Sequence, residues 1–369
     1  MFLDGGDIRA VLRAVDSAPP GPDESLLLLV AERERPDIPA LIAALRDRNV
    51  SFMGGIFPGL IHGERQYDRG ILLRSLPTAD APVLIPDLLK SGEPLSRLRD
   101  ALPRSGPRYT LLVFVDGLAA DVSGFLAALF HHLGRGVSYF GGGAGSLSLA
   151  QEPCVFTRDG FLQDAAVAAM IPLECSLGVR HGWRKIMGPL VATRTRRNVV
   201  VELNWEPAFD VYRRVVEADV GDDSGEALDW DDFFSVARRY PFGIFREGAE
   251  DVVRDPISVT DAGELICVGD VPENTVLNVL KGEPELLVGA AAQALTDSLP
   301  PAERGVRTHL VIDCISRVLY LQEDFEAELQ ALQGAGEALA GVLSLGEIAS
   351  RDGVVEFFNK TVVIGALYE

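Results

Sequence analysis

Apolar positions follow one pattern in three separate stretches of the chain, residues 25–56, 109–145 and 310–346. Each stretch begins with a continuous apolar run, as in a strand buried on both faces, and continues with apolar residues at helical spacing. A second apolar run then ends at glycine. The pattern predicts three strand–helix–strand units. Either internal duplication or the frequency of this motif in α/β proteins explains it.

Between the second and third stretches the pattern changes to short strands and turns. Residues 160–179 and 190–203 indicate strands, residues 207–216 have helical spacing, and residues 252–279 indicate a β-meander. The acidic residues 217–232 predict a solvated loop or helix face, without the residue frame of a calcium-binding loop.

Together these elements predict an α/β (α+β) protein of two domains, with mixed β-sheets flanked by helices. The length of 369 residues exceeds the usual size of a single core. The predicted division is an amino-terminal extension over residues 1–24, a first domain over 25–205 and a second over 206–369. The boundary between the two domains is placed within residues 190–220.

Composition and charge narrow the function classes. The chain is 47% hydrophobic and carries a net charge of -20, so non-specific binding to nucleic acid or to an anionic membrane is not expected. It has no signal-peptide pattern and no long uninterrupted apolar run, which predicts a cytoplasmic protein without membrane insertion. The four cysteines lack CxxC spacing, so we expect thiols rather than disulfides or a structural zinc site.

Polar or reactive side chains near the carboxyl end of the chain come where apolar strands stop. Cys314 and Arg317 follow one predicted strand, Glu347 follows a glycine turn, and Asn359 and Thr361 precede the last apolar run. Ligand pockets of α/β proteins form at such strand ends. The pattern therefore predicts a binding site there. We read the glycines at 141–145 as a tight turn that also forms a wall of this pocket, because no phosphate-binding motif surrounds them.

Several of these side chains have alternative interpretations. Cys314 suggests a thiol nucleophile, but His309 lies on the opposite face of the same strand, so a buried thiol is favoured. Arg317 could clamp a ligand carboxylate in a bidentate manner. Glu347 could take a ligand ammonium or pair with Arg317 as a structural bridge. Both interpretations stay open from the sequence.

Two histidines suggest a different hypothesis, that the protein binds haem. His181 lies beside Trp183 in a glycine-containing turn and His62 follows the first glycine turn, so either is a candidate haem ligand. Packed or hydrogen-bonded histidines are the more common alternative.

In its motifs and their order, the chain resembles the FIST family. The motifs are Phe140–Gly145, Gly182-Trp183, Asn204–Ala208 with Tyr212, Pro241–Ile244, Val253-Arg254, Cys314 with Arg317, Gly346-Glu347, and Phe358-Asn359 with Thr361. The resemblance implies a FIST N-like and a FIST C-like domain, an intracellular sensory role and amino-acid-like ligands. Some members resemble haem-binding nitric-oxide sensors that act on histidine kinases. Ser146 departs from the pattern, since an acid is common there.

The leading hypothesis is a sensory protein that binds a small polar, amino-acid-like ligand between its two halves. It signals through a separate partner such as a histidine kinase, is not an enzyme and needs no cofactor. The predicted ligand-binding residues are Gly142, Gly143, Arg254, Cys314, Arg317, Glu347, Asn359 and Thr361. The alternatives are a haem sensor using His181 or His62, a thiol-dependent enzyme at Cys314, and a protein-interaction scaffold.

Overall fold

The computed structural model describes residues 1–90, 92–102, 108–221, 228–301, 303–333, 339–351 and 353–369. Its helices are α1 (Ile8–Ser17), α2 (Ile38–Asp47), α3 (Gly92–Asp100), α4 (Val122–Leu133), α5 (Ala208–Val220), α6 (Phe233–Ala237), α7 (Pro284–Asp297), α8 (Ile315–Leu321) and α9 (Phe325–Ala331). Within these described ranges, no helix is both long enough and apolar enough to cross a membrane. With the mixed sheets below, they confirm the predicted α+β class.

Sheet 1 surrounds the first predicted strand–helix–strand unit. Its strands, in spatial order, are β1 (Phe2–Leu3), β6 (Ile71–Pro77), β2 (Glu24–Ala31), β3 (Phe52–Phe57), β10 (Val155–Thr157) and β11 (Gly160–Leu162). β2 and β3 are parallel and are joined by α2, while β6 runs antiparallel to β2. The leucines of β2 are buried on both faces, which explains their continuous apolar run.

Sheets 2 and 3 repeat this order. Sheet 2 consists of β24 (Val354–Phe358), β23 (Glu347–Arg351), β9 (Val137–Ala144), β8 (Tyr109–Asp116), β12 (Ala166–Ile171) and β7 (Val83–Ile85). Sheet 3 consists of β13 (Glu174–Arg180), β25 (Val362–Tyr368), β21 (Val306–Cys314), β22 (Ala340–Ser344), β4 (Gly59–His62) and β5 (Arg65–Tyr67). Their central pairs β8–β9 and β21–β22 are parallel. The three predicted units are thus confirmed.

The three units share one connectivity and exchange hairpins in a cycle. In chain order, each unit consists of an edge strand, a helix, a first parallel strand, one or more helices, a second parallel strand, a hairpin and an antiparallel strand. The hairpin never joins its own sheet: β4–β5 extends sheet 3, β10–β11 extends sheet 1 and β23–β24 extends sheet 2. We call residues 2–77 unit 1, residues 83–171 unit 2, and residues 174–180 with 284–368 unit 3.

A closed barrel is inserted into unit 3 between β13 and α7. Its strands are β14 (Arg184–Arg196), β20 (Val276–Lys281), β17 (Phe242–Ile244), β18 (Val252–Val259), β19 (Leu265–Val268), β15 (Val199–Leu203) and β16 (Glu206–Pro207). Because β14 pairs with both β20 and β15, the sheet closes on itself. Of the predicted meander, β18 and β19 form an antiparallel pair, but β20 pairs with β17 and β14 instead of β19. Tyr212 of α5 packs into the barrel core against Phe242.

Two predicted segments look different in the fold. Residues 1–24 were expected as an extension, but β1 pairs with β6, and α1 buries Val11 and Val15 in unit 1. The predicted boundary at residue 205 lies between β15 and β16, which pair within the barrel. Part of the acidic stretch, residues 222–227, lies outside the described residues.

Candidate functional site

The units contact one another where their parallel strands end. The Gly145 N–H donates to the Ile56 carbonyl at 2.8 Å, and the Gly143 N–H donates to the Gly346 carbonyl at 2.7 Å. A β-carbon on Gly143 would lie 2.2 Å from the Leu345 carbonyl oxygen, and one on Gly142 would lie 2.6 Å from Ile312. The predicted glycines therefore allow two units to approach closely. Since its N–H is used inside the protein, Gly143 cannot offer it to a ligand as expected.

Glu347 and Cys314 lie together in the core beneath this junction. The Glu347 carboxyl accepts hydrogen bonds from Ser344 Oγ at 2.7 Å and from the Thr361 N–H at 3.3 Å. Burial raises the pKa of Glu347 to about 8, so this carboxyl is protonated at neutral pH. A neutral, fully buried Glu347 does not take a ligand ammonium, which corrects that expectation.

Cys314 is a buried thiol at the start of α8, and burial outweighs the helix start and the nearby Lys360, which favour the thiolate. Burial strongly raises the pKa of its thiol, and its side chain lies beside Glu347. A nucleophilic cysteine requires the opposite shift, toward thiolate at neutral pH. The geometry therefore agrees with the buried-thiol interpretation rather than with a thiol-dependent enzyme.

Arg317 is a core residue whose guanidinium uses all of its nitrogens within the protein. Nε and Nη2 donate to Glu328 of α9 at 2.9 and 2.7 Å. Nη1 donates to the carbonyls of His181 and Lys360, and Nη2 also donates to the Leu287 carbonyl. The predicted carboxylate clamp is thus wrong. A structural bridge does exist, but its partner is Glu328 instead of Glu347.

Two buried carboxyl groups lie close to the Arg317 guanidinium, those of Glu328 and Asp313. Asp313 is 3.3 Å from Nε. Burial and the neighbouring Glu328 raise the pKa of Asp313 well above its usual range. Arg317 and Glu328 form a buried ion pair that holds α9 against α8.

Arg254 and Asn359 lie nearer the surface, where the barrel meets sheet 2. Arg254 donates from Nε to the Asp270 carbonyl at 2.8 Å and from Nη1 to the Phe357 carbonyl at 3.1 Å. Asn359 Oδ1 is 3.5 Å from the same Nη1. Burial lowers the pKa of Arg254 to about 10, so the guanidinium stays charged at neutral pH.

Lys360, the residue after Asn359, was not among the site residues predicted from the sequence. Its ammonium is fully buried, 3.1 Å from Asp255 Oδ2 of β18, donates to the Arg238 carbonyl, and lies 4.8 Å above the Trp183 ring. It therefore connects the barrel to the turn before β25.

A cleft of about 330 Å³ opens directly in front of Arg254, between unit 2 and the barrel. Its walls are the segment after β8, the first turn of α4, the β14–β15 turn, the end of β19, and β24. The lining residues are Gly117, Leu118, Ala119, Ala120, Val122, Ser123, Arg197, Asn198, Ile257, Cys267, Val268, Gly269, Asp270 and Phe357. A volume in this range suits a small-molecule site.

Three of the predicted residues lie immediately behind the walls of this cleft. A β-carbon on Gly269 would lie 3.1 Å from Arg254 and 3.3 Å from Asn359, and one on Gly143 would lie 2.9 Å from Gly117. Gly142, Cys314, Glu347 and Thr361 lie deeper, at the unit junction described above. The structure thus brings most of the predicted residues together, but as supports of the cleft rather than as its lining.

The ligand-binding residues predicted from the sequence do not include the charged residues that line the cleft itself. Asp270 follows the end of β19, the same kind of position that made Cys314 a candidate, so the strand-end rule could have found it. Arg197 donates to the Ala120 carbonyl and lies 3.7 Å from Asp121, the residue that caps α4.

Neither candidate histidine faces a haem-sized cavity among the described residues. His181 is buried, and its Nδ1 accepts a hydrogen bond from the Trp183 N–H at 2.8 Å. His62 lines a cavity of about 270 Å³ walled mainly by leucines, and stacks on Phe2. That volume is below the range typical of drug-sized ligands, and haem is larger still. Among the described residues no group of three or more His, Cys, Asp or Glu side chains could hold a metal ion.

Comparison with known families agrees with this architecture. A family model described as FIST N domain matches residues 25–206, and one described as FIST C domain matches residues 208–350. No individual curated protein matches the chain. The two family matches meet within the barrel and together cover most of the sequence. The chain therefore belongs to the FIST family, whose domains are sensory domains in signal transduction.

Proposed function

We propose that this protein senses a small zwitterion of amino-acid size, bound in the cleft between α4 and the barrel. The observation that carries the proposal is the distribution of charge across the cleft. The first turn of α4 and Arg197 form a positive side, and Asp270 forms a negative side.

On the positive side, the backbone supplies the donors. The N–H groups of Val122 and Ser123 lie in the first turn of α4, where a helix has no internal acceptors. Asp121 caps the N–H of Gly124, and in the part of the chain that the structure describes those two donors have no acceptor at the cleft wall. The partial positive charge of the helix start and the Arg197 guanidinium both favour a ligand carboxylate there.

On the negative side, Asp270 supplies the carboxylate. Its backbone carbonyl is held by Arg254, which fixes the position of the residue. Among the described residues no Lys, Arg or His side chain lies within ion-pair distance of the Asp270 carboxylate. An ammonium group of the ligand would form such an ion pair, in addition to the longer-range interaction of Asp270 with the Arg254 charge behind the wall.

A ligand in this position would contact unit 2 and the barrel at the same time. Binding would then favour one relative placement of these two parts over others. We propose that a separate signalling protein reads this difference. The proposal thereby keeps the expected partner-mediated output and requires no cofactor.

The test is calorimetric titration of the purified full chain with each of the twenty common amino acids. We expect saturable binding of at least one of them. Asp270→Asn should weaken that binding about tenfold or more, because it removes a charge-assisted contact of roughly 1.5–3 kcal/mol.

The matched control is Asp261→Asn, which removes the same charge from an exposed turn of the same barrel. It should leave the affinity unchanged. If no amino acid binds, or if Asp270→Asn and Asp261→Asn bind equally well, the zwitterion proposal is wrong.

A further inference from the structure

A second cleft, of about 600 Å³, lies between sheet 2 and sheet 3. It is formed by the amino-terminal ends of β8 and β9, the end of β23, the start of β13 and the end of β25. The lining residues are Arg108, Phe130, Arg135, Val137, Ser138, Tyr139, Cys175, Ser176, Leu177, Ser350, Arg351, Gly353 and Tyr368. This cleft is at the opposite end of β8 from the zwitterion cleft, roughly 25 Å away along an eight-residue strand.

Three arginines face this cleft without carboxylate partners among the residues that the structure describes. Within the described ranges, neither Arg108 nor Arg135 has an acidic side chain within ion-pair distance. Arg351 donates to the Glu250 carbonyl at 2.7 Å and lies 5.3 Å above the Phe358 ring, but pairs with no carboxylate of the described residues. In a chain of net charge -20, many other arginines do form ion pairs, as Arg180 and Arg196 do. The cluster is therefore a local excess of positive charge.

The repeated fold provides an internal comparison for these arginines. The cyclic order of the units makes the interface of sheets 3 and 1 topologically equivalent to that of sheets 2 and 3. The cavity at that equivalent interface is lined chiefly by Leu27, Leu29, Leu72 and Leu310. The same sheet packing thus forms without an arginine cluster, so packing does not explain why one is present here.

The remaining wall supplies neutral hydrogen-bonding groups. Ser138 and Ser176 present hydroxyls that have no partner among the described residues, while Ser350 Oγ accepts from the Tyr139 N–H at 3.1 Å. Tyr368 donates to the Glu174 carboxylate at 3.4 Å. Because burial raises the pKa of the Cys175 thiol, that side chain adds no negative charge.

We propose that this cleft binds a small organic anion bearing at least two phosphate or carboxylate groups. Three guanidinium groups match more than one such group, because each can bind an anionic oxygen pair in its planar fork. The serine hydroxyls complete the hydrogen bonds of the ligand. The cleft volume lies within the range of small-molecule sites and excludes a folded partner.

The test uses the full chain with two probes, pyrophosphate and citrate, titrated by calorimetry at a fixed salt concentration. We expect saturable binding of one anion per chain by at least one probe. Arg135→Gln and Arg351→Gln should each weaken it about tenfold or more. The stronger probe tells whether the site prefers phosphate or carboxylate groups.

The control is Arg9→Gln, an exposed position on α1 that changes the net charge equally. It should bind the probe like the parent protein, and so should Asp270→Asn, because the zwitterion cleft is separate. Arg135 is exposed, so Arg135→Gln should leave the unfolding temperature unchanged. Binding to Arg135→Gln therefore decides the test even if Arg351→Gln does not fold. The proposal is overturned if neither probe saturates, or if Arg9→Gln weakens binding as much as Arg135→Gln.

Discussion

At the scale of single residues, burial determines what the charged side chains at the strand ends do. Arg317, Glu347 and Cys314 stand where a ligand site is expected, yet all three are sealed in the core. Arg317 keeps its charge because Glu328 neutralises it. Glu347 instead holds a proton. The same residue types near the surface, Asp270 and Arg197, remain available to solvent and to ligands.

The proton on Glu347 predicts a pH dependence of stability. A carboxyl whose pKa is raised to about 8 by folding stabilises the protein fully below its unfolded pKa near 4.5, and this contribution is lost as the pH rises through 8. Glu347→Gln mimics the protonated form and lacks this dependence. In urea unfolding at pH 5, 6.5 and 8.5, the free energy of unfolding of the parent protein should fall by a few kcal/mol relative to that of the variant as the pH rises.

Glu326→Gln, at an exposed position of α9, is the control, and the difference between its free energy of unfolding and that of the parent should not change over the same pH values. A parent and Glu347→Gln that respond identically to pH would mean that Glu347 is ionised in the folded protein.

At the scale of elements, the contact between β9 and the turn before β23 joins units 2 and 3. β9 has consecutive glycines there because the Leu345 carbonyl and Gly117 lie too close for any side chain at Gly143. The backbone hydrogen bonds between Gly143, Leu345 and Gly346 depend on that approach. Glycine at the strand end is therefore required by the crossing of two chain segments.

Gly143→Ala should consequently destabilise the protein by about 1–3 kcal/mol or more, since the added methyl overlaps a backbone carbonyl. Urea unfolding measures the change. Gly136→Ala is the matched control, because a methyl there meets no atom within 4 Å. Equal stability of the two variants would contradict the close approach at Gly143.

At the scale of the whole molecule, hairpin exchange makes each unit depend on another. Sheet 2 receives β23–β24 from unit 3, and β4–β5 of unit 1 pairs only with sheet 3 within the described residues. The barrel is tied to unit 3 by the buried ion pair of Lys360 and Asp255. Family boundaries drawn along the sequence therefore do not separate independent folding parts.

A fragment of residues 1–206, the extent of the FIST N match with its preceding residues, should not fold alone. It would leave the edge of β9 and the β4–β5 hairpin unpaired, and unpaired edges promote association. Size-exclusion chromatography should show aggregates, and heating followed by circular dichroism should show no cooperative transition.

Co-expression with residues 207–369 is the control, because it restores both missing pairings and should yield a soluble complex. A monomeric 1–206 fragment that unfolds cooperatively would show that the exchanged hairpins are dispensable.

The sequence by itself determined the three strand–helix–strand units, the antiparallel pair of β18 and β19, and the family. Each depends on local periodicity or on short motifs, and such signals survive without knowledge of distant contacts. It also located polar residues at strand ends, because those positions follow directly from where the apolar runs stop.

Only the tertiary structure decided what these residues do. The partner of Arg317 is Glu328 on α9, and the proton on Glu347 depends on burial by several elements. The cleft at Asp270 forms where the barrel meets unit 2, and the arginine cleft forms where two sheets meet. Charge state and pocket shape depend on which distant segments pack together, and local sequence patterns do not record that packing.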